Sequence, residues 1–260
     1  MPVGGTQSKH RNGHLSQTPV PEKRLTFGPP SRILRRLIGA KTVRIRVKIC
    51  GITRPDWAVA AAEAGADAIG LVFADSPRRV KAAEASQIIK ALPPWVAPVG
   101  VFVDDDPMRI RAMAALGLVA VQLHGDEPPE ALEDLGNLKV IKAFRIGSEE
   151  DVAAAVAWKK QSERLGRAAN AYLVDARLPA GGPKGGSGHK ADWRLAARMI
   201  LEGLTPLILA GGLTPENVAE AVAAVRPWGI DGSSGLETAP GVKSPEKIRA
   251  FVEAVRGCSV

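Results

Sequence analysis

Aromatic side chains are scarce in this chain. They make up 4% of its 260 residues, with a single tyrosine, so aliphatic and alanine side chains must fill any core. Cysteine is scarcer still. Cys50 and Cys258 are the only two, too few for a disulfide-stapled scaffold, and no secretory signal precedes them. Sparse thiols of that kind suggest a reducing cytosol, hence a cytoplasmic protein. No apolar run approaches the roughly 20 residues needed to cross a bilayer, which argues against a membrane role. The four histidines, two of them near the amino terminus, form no cluster with acids at metal-ligand spacing, so no metal is expected. A dinucleotide fingerprint, a P-loop and a nucleophile elbow are also missing.

What the chain has in excess is positive charge, +8 overall. Residues 1–46 carry ten Lys/Arg against the single acid Glu22, a local +9, so the remainder is close to neutral. The basicity belongs to a leader rather than to the body. No aromatics are interleaved there to stack bases, so a nucleic-acid partner is not expected. Residues 1–40 are rich in Gly, Pro, Ser, Lys and Arg and read as a disordered basic extension, with a mis-assigned start or a transit peptide as alternatives. Residues 41–260 read as one catalytic domain.

Within that domain, short apolar segments alternate with alanine-rich segments at helical spacing. Strands are expected at Val43–Ile49, Ala68–Phe73, Ala97–Val103, Val119–Leu123, Lys139–Ala143, Ala171–Val174, Pro206–Ala210 and Gly229–Asp231. Helices are expected at Trp57–Ala64, Ala82–Ala91, Pro107–Leu116, Pro128–Leu135, Ser148–Lys159, Trp193–Glu202, Pro215–Val225 and Pro245–Val255. Alternation means a parallel sheet, and a count of eight favours a closed (β/α)8 TIM barrel over a doubly wound open sheet. The first unit is strand, glycine turn and helix, with Thr53 as expected N-cap and Pro55 in the first helical turn.

In such a barrel, chemistry is placed at the carboxyl ends of the strands. Cys50 ends the first. A base there would need cationic help, from Lys48 or Arg54, because a free thiol is mostly protonated near neutral pH. Asp175 ends the sixth, after an apolar run that would raise its pKa and suit it to act as an acid. Arg78, beyond the second, could grip a carboxylate through two hydrogen bonds. His124 is a rival base, or else a neutral residue holding its loop. The seventh and eighth turns, with Gly211-Gly212 and Ser233-Ser234, suit a phosphate, because glycine lets backbone N–H groups approach an anion. Five glycines between Leu178 and Lys190 suggest a lid, and Asp192 a cap for the helix after it.

Together these residues resemble a known family. Lys48-Ile49-Cys50-Gly51-Ile52-Thr53, Ser76-Pro77-Arg78, Gln122-Leu123-His124-Gly125-Asp126, Leu173-Val174-Asp175, Ala210-Gly211-Gly212-Leu213 and Asp231-Gly232-Ser233-Ser234-Gly235-Leu236-Glu237 are similar, in order, to the phosphoribosylanthranilate isomerases of tryptophan biosynthesis. The resemblance spans about Val47 to Val255. It implies an Amadori rearrangement of N-(5-phosphoribosyl)anthranilate, with Asp175 as general acid and Cys50 as general base. Arg78 would hold the anthranilate carboxylate and Asp231 would orient the sugar, while Gly211, Gly212, Ser233 and Ser234 hold the phosphate. No cofactor is implied, since the substrate's own amine nitrogen is the electron sink. The partner is a small phosphorylated molecule, and the chain would act as a monomer or homodimer. Arg79, where the family often has an aromatic, and Gly232, where it usually has a β-branched residue, depart from the pattern. A histidine-biosynthesis isomerase and a non-catalytic phosphate-binding barrel are the competing readings. The first is disfavoured by Cys50 standing where an acid would be needed.

Overall fold

Strand β1, Arg46–Cys50, sets the frame. In the computed structural model, which describes Met1, residues 44–176 and residues 193–258, β1 pairs in parallel with both its sequence neighbour and the last barrel strand. The strands that follow are β2 (Ala68–Val72), β3 (Ala97–Phe102), β4 (Ala120–Leu123), β5 (Val140–Ile146), β6 (Ala171–Ala176), β7 (Leu207–Ala210) and β8 (Gly229–Gly232). They hydrogen-bond in sequence order and close into a barrel. The eight-fold alternation therefore means a (β/α)8 barrel and not an open sheet. The proposed extension over residues 1–40, the glycine-rich loop beyond Asp175 and the expected cap Asp192 lie outside the described residues.

The helices are α1 (Pro55–Ala64), α2 (Ala82–Ala91), α3 (Pro107–Ala114), α4 (Ala131–Asp134), α5 (Glu149–Arg164), α6 (Trp193–Leu201), α7 (Val218–Val225) and α8 (Pro245–Arg256). Local chemistry accounts for their ends. Asp106 accepts from the Met108 N–H to start α3, and Ser148 and Asp151 form a reciprocal capping box on α5. Helix α1 stops at Gly65, in the left-handed conformation at φ 98°. Several expected boundaries shift. The N-cap of α1 is Arg54 rather than Thr53, with Pro55 in the first turn as expected. Helix α4 is one short turn, because Pro128 and Pro129 delay it. Helix α7 begins at Val218, not Pro215, because Asn217 takes the preceding turn. Strand β5 runs on through Ile146, since its pairing with β6 continues to Ala176. A single 3-10 turn (Ser234–Leu236) and a small hairpin, β9 (Glu237–Ala239) and β10 (Val242–Lys243), come between β8 and α8, with no counterpart in the expected pattern.

Two cores follow from a sheet buried on both faces. The larger lies between strands and helices and takes the apolar side of β1, Val47 and Ile49. The smaller fills the barrel with Val99, Ile141, Ala143, Leu173, Ile208 and Ala210 among others. On the basic side of β1 only Arg46, at the strand's start, faces solvent. Lys48 points into the barrel, 4% exposed.

Candidate active site

At the carboxyl ends of the strands a 430 Å³ cavity brings together Cys50, Arg78, Asp175, Gly211, Gly212, Asp231, Ser233 and Ser234. These eight residues come from five separate stretches of chain. His124 and Arg145 line the same space.

Cys50 closes β1 two residues beyond Lys48, so both side chains face inward. Gly70 beside it on β2 makes room, because a Cβ there would sit 2.7 Å from the Cys50 sulfur. Lys48 Nζ donates to Asp231 Oδ2 at 2.9 Å, and both partners are buried. Asp231 Oδ1 is buried with no hydrogen-bond partner among the described residues. Burial pushes the Cys50 thiol above its ordinary value against the opposing pull of Lys48. Burial likewise raises Asp231, again with Lys48 as its chief counterweight. For Lys48, burial is overcome by the charges of Asp231 and Cys50, and its pKa lies above the ordinary value. Of the two cations expected to help Cys50, only Lys48 does so, and Lys243 adds a weaker pull in the same direction. Arg54 turns outward to Asp56 at 2.8 Å and lies over Trp57.

Asp175 stands near the far end of β6 with its side chain 36% exposed, not in the apolar surround its strand suggested. The strand's apolar residues face the two cores, and the carboxyl group reaches past them into the cavity. His124 Nε2 lies 3.7 Å from Asp175 Oδ2. Gln122 Nε2 sits 2.6 Å from His124 Nδ1. With the amide donating to Nδ1, the neutral ring carries its proton on the nitrogen facing Asp175. His124 thus stands beside the Asp175 carboxyl group.

The two turns meant for an anion lie backbone against backbone, since a Cβ on Gly235 would collide with the Leu213 carbonyl. Gly211 and Gly212 adopt φ of 93° and 61°, which non-glycine residues rarely hold. Asn217 braces this turn, accepting from the Thr214 N–H at 2.8 Å and donating to the Gly212 carbonyl at 3.0 Å. Gly232 has a local reason. A Cβ would lie 2.7 Å from Leu236 Cδ1 and 3.0 Å from Phe251, so a β-branched side chain has no space.

Arg78 is the largest surprise. It is not a free guanidinium awaiting a ligand, because Nε and Nη2 grip Glu237 at 2.7 and 2.6 Å. Burial would raise the Glu237 carboxyl, but hydrogen bonds from Arg78 and Lys243 hold it at about 2. Lys243 plays no part in the sequence reading, and Glu237 enters only as the end of a motif. Both lie past the eighth turn, on the hairpin that periodicity missed.

Geometry of this kind defines a class: a (β/α)8 barrel with a carboxyl group, a thiol and two glycine-rich turns gathered around one cavity at the carboxyl ends of its strands. Comparison with known proteins makes it particular. Residues 47–254 match the family model for N-(5'-phosphoribosyl)anthranilate (PRA) isomerase, and the chain belongs to that family. It is 45% identical over 218 residues to the N-(5'-phosphoribosyl)anthranilate isomerase of Myxococcus xanthus, covering 83% of this chain and 98% of that protein. The phosphoribosyl anthranilate isomerase of Thermotoga maritima superposes with a TM-score of 0.73 at 39% identity, over 82% of this chain and all of that one. Another structure from that organism is described as monomers generated from a dimeric enzyme. An isomerase structure in complex with reduced 1-(o-carboxyphenylamino)-1-deoxyribulose 5-phosphate superposes at 0.70 with 36% identity, covering 82% of this chain and all of that one.

Proposed function

We propose that the protein isomerises N-(5'-phosphoribosyl)anthranilate to 1-(o-carboxyphenylamino)-1-deoxyribulose 5-phosphate in tryptophan biosynthesis, with Asp175 as acid and Cys50 as base. The observation that carries this assignment is the cavity shared by Cys50 on β1, Asp175 on β6 and the two glycine-serine turns. Asp175 protonates the ribose ring oxygen as the C1′–O bond breaks, and the anthranilate nitrogen's lone pair forms the iminium. The C2′ proton then passes to Cys50, and its bonding electrons move toward nitrogen to give an enol that tautomerises to the ketone. Hydrogen is redistributed within one molecule, so the step is redox-neutral overall. Cys50 must act as thiolate, and buried Lys48 is the charge beside it that favours that form. Arg78 receives the anthranilate carboxylate, Asp231 orients the sugar, and Gly211, Gly212, Ser233 and Ser234 hold the phosphate. Among the described residues no cluster of three or more His, Cys, Asp or Glu is placed to hold a metal ion.

Fluorescence of the anthranilate moiety gives a direct assay. Wild type should consume substrate, whereas Cys50→Ala and Asp175→Asn should each lose about a hundredfold or more in kcat, the usual contribution of a general acid or base. Full turnover in both variants would remove the mechanism. Tight binding without turnover by the wild type would favour a non-catalytic phosphate-binding barrel.

We further infer a homodimer working in the cytoplasm. Trp95, 90% exposed, stands beside an apolar cavity at the amino-terminal end of the barrel. A projection and a hollow on one face suit two-fold pairing with a second copy.

A further inference from the structure

Glu237 follows the 3-10 turn directly, and its side chain is 5% exposed. Oε1 accepts from Arg78 Nε at 2.7 Å and from Lys243 Nζ at 2.6 Å. Oε2 accepts from Arg78 Nη2 at 2.6 Å and from the Gly241 N–H at 3.2 Å. Lys243, itself 3% exposed, gives a second bond to the Ser233 carbonyl at 3.1 Å. Ser233 Oγ in turn donates to the Cys50 carbonyl at 3.3 Å. One carboxylate therefore joins the loop after β2, the turn after β8 and the β9–β10 hairpin.

The Arg78 arm is fixed along its length as well as at its head. Its aliphatic stem packs on Gly51, at φ 78°, where a Cβ would strike Arg78 Cδ. With Nε and Nη2 held by Glu237, Nη1 has no partner among the described residues and remains available for a second carboxylate. Charge allows this. Arg78 and Lys243 bring two positive charges against one negative, so the trio keeps a net +1 for an anionic ligand. A lone arginine on a loop would have to surrender its rotamer freedom on binding, and a guanidinium already held by a buried fork does not.

We propose that Glu237 and Lys243 are positioning residues for the isomerisation: Glu237 aims Arg78 at the substrate carboxylate and, through Lys243 and the Ser233 carbonyl, sets the turn that holds the phosphate. This rests on the assignment of Arg78 to the carboxylate and of the eighth turn to the phosphate. Both ends of the substrate are then located from one buried carboxylate, which preserves the spacing between them while the sugar changes shape.

Steady-state kinetics with two competitive inhibitors test this. Anthranilate probes the carboxylate end and inorganic phosphate the other. Glu237→Gln, which keeps the shape and removes the charge, should raise KM by about tenfold or more with kcat within about threefold, the signature of lost ground-state positioning. It should weaken inhibition by anthranilate. Lys243→Met should weaken inhibition by phosphate by about fivefold or more, an effect that Arg78→Ala does not reproduce. In an Arg78→Ala background, Glu237→Gln should change anthranilate inhibition by less than about twofold, because coupled residues are non-additive. Should Glu237→Gln not fold, Lys243→Met and the more conservative Glu237→Asp carry the same tests.

A lowered melting temperature in Glu237→Gln with unchanged KM and unchanged inhibition would overturn the proposal and leave Glu237 as a brace for the hairpin. If Arg78→Ala leaves KM and anthranilate inhibition untouched, the underlying assignment of Arg78 falls first. An inactive wild type would remove both.

Discussion

The two ends of the barrel are built from the same eight strands and hardly resemble one another. At the carboxyl end the lining includes a thiol, two carboxylates, two guanidiniums, an imidazole, a Gly-Gly turn and a Ser-Ser-Gly turn. At the amino end a 370 Å³ cavity is lined largely by Ala97, Val99, Ala120, Ile141 and Ile208, with Trp95 and Trp228 also lining it and Arg46 over Trp228. Strand β1 spans the change, from Arg46 through Lys48 to Cys50. One end can organise charge for chemistry; the other offers apolar surface for packing. Barrel enzymes divide labour in this direction because their βα loops vary freely while the opposite face closes the core.

The sharpest test of that division sets two ion pairs of equal length against each other. Lys48–Asp231 and Arg44–Asp67 both measure 2.9 Å, but the first is buried and the second has an arginine side chain 59% exposed. Lys48→Met strands a buried carboxylate and should cost about 3–5 kcal/mol in urea unfolding. Arg44→Ala should cost less than about 1 kcal/mol. Lys48→Met should also slow alkylation of Cys50, since it removes the cation that opposes the burial effect on the thiol. Equal losses from the two pairs would mean that the barrel interior is wetter than its burial implies.

A smaller effect separates the hairpin from the rest of the carboxyl end. The Glu237 carboxyl lies at about 2, against an ordinary 4.5. A folded-state value below the unfolded one stabilises fully above pH 4.5, and that contribution fades as pH falls toward 2. Wild type should therefore lose stability across that window more steeply than Glu237→Gln. Identical acid limbs would show that the Arg78–Glu237–Lys243 trio contributes nothing to folding.

These residues also show where sequence reading succeeds and where it stops. Hydrophobic period and the eight-fold alternation were enough for the barrel, since each strand and helix carries its own signal locally. Strand-end positions then gave the cavity's membership, because in a parallel barrel every carboxyl end meets at one face. What each side chain touches there was not recoverable. Alternating basic residues on β1 look like a solvated face, and only closure of the barrel turns Lys48 inward to Asp231. Arg78 looks free until residue 237, 159 positions away, is folded against it. Asp175 looks buried by its strand, yet the strand's apolar residues serve the cores and leave the carboxyl beside His124. Local pattern yields placement; pairing needs the fold.

The mildest prediction for chemistry is the most direct test of the comparison. Trp95 lies at the opposite end of the barrel from Cys50, with 90% of its surface exposed. In a single chain such a side chain contributes little, so Trp95→Glu should change folding stability per monomer by no more than about 0.5 kcal/mol. It should leave kcat per chain within about twofold, because Trp95 does not line the cavity that holds Cys50 and Asp175. Association is where the substitution should act. Losing the indole leaves the largely apolar hollow of a second copy unfilled, so sedimentation should move from the proposed dimer to monomer. If the variant stays dimeric, pairing uses another face. If turnover instead collapses in a folded monomer, the two ends are coupled and the division of labour drawn from their linings is wrong.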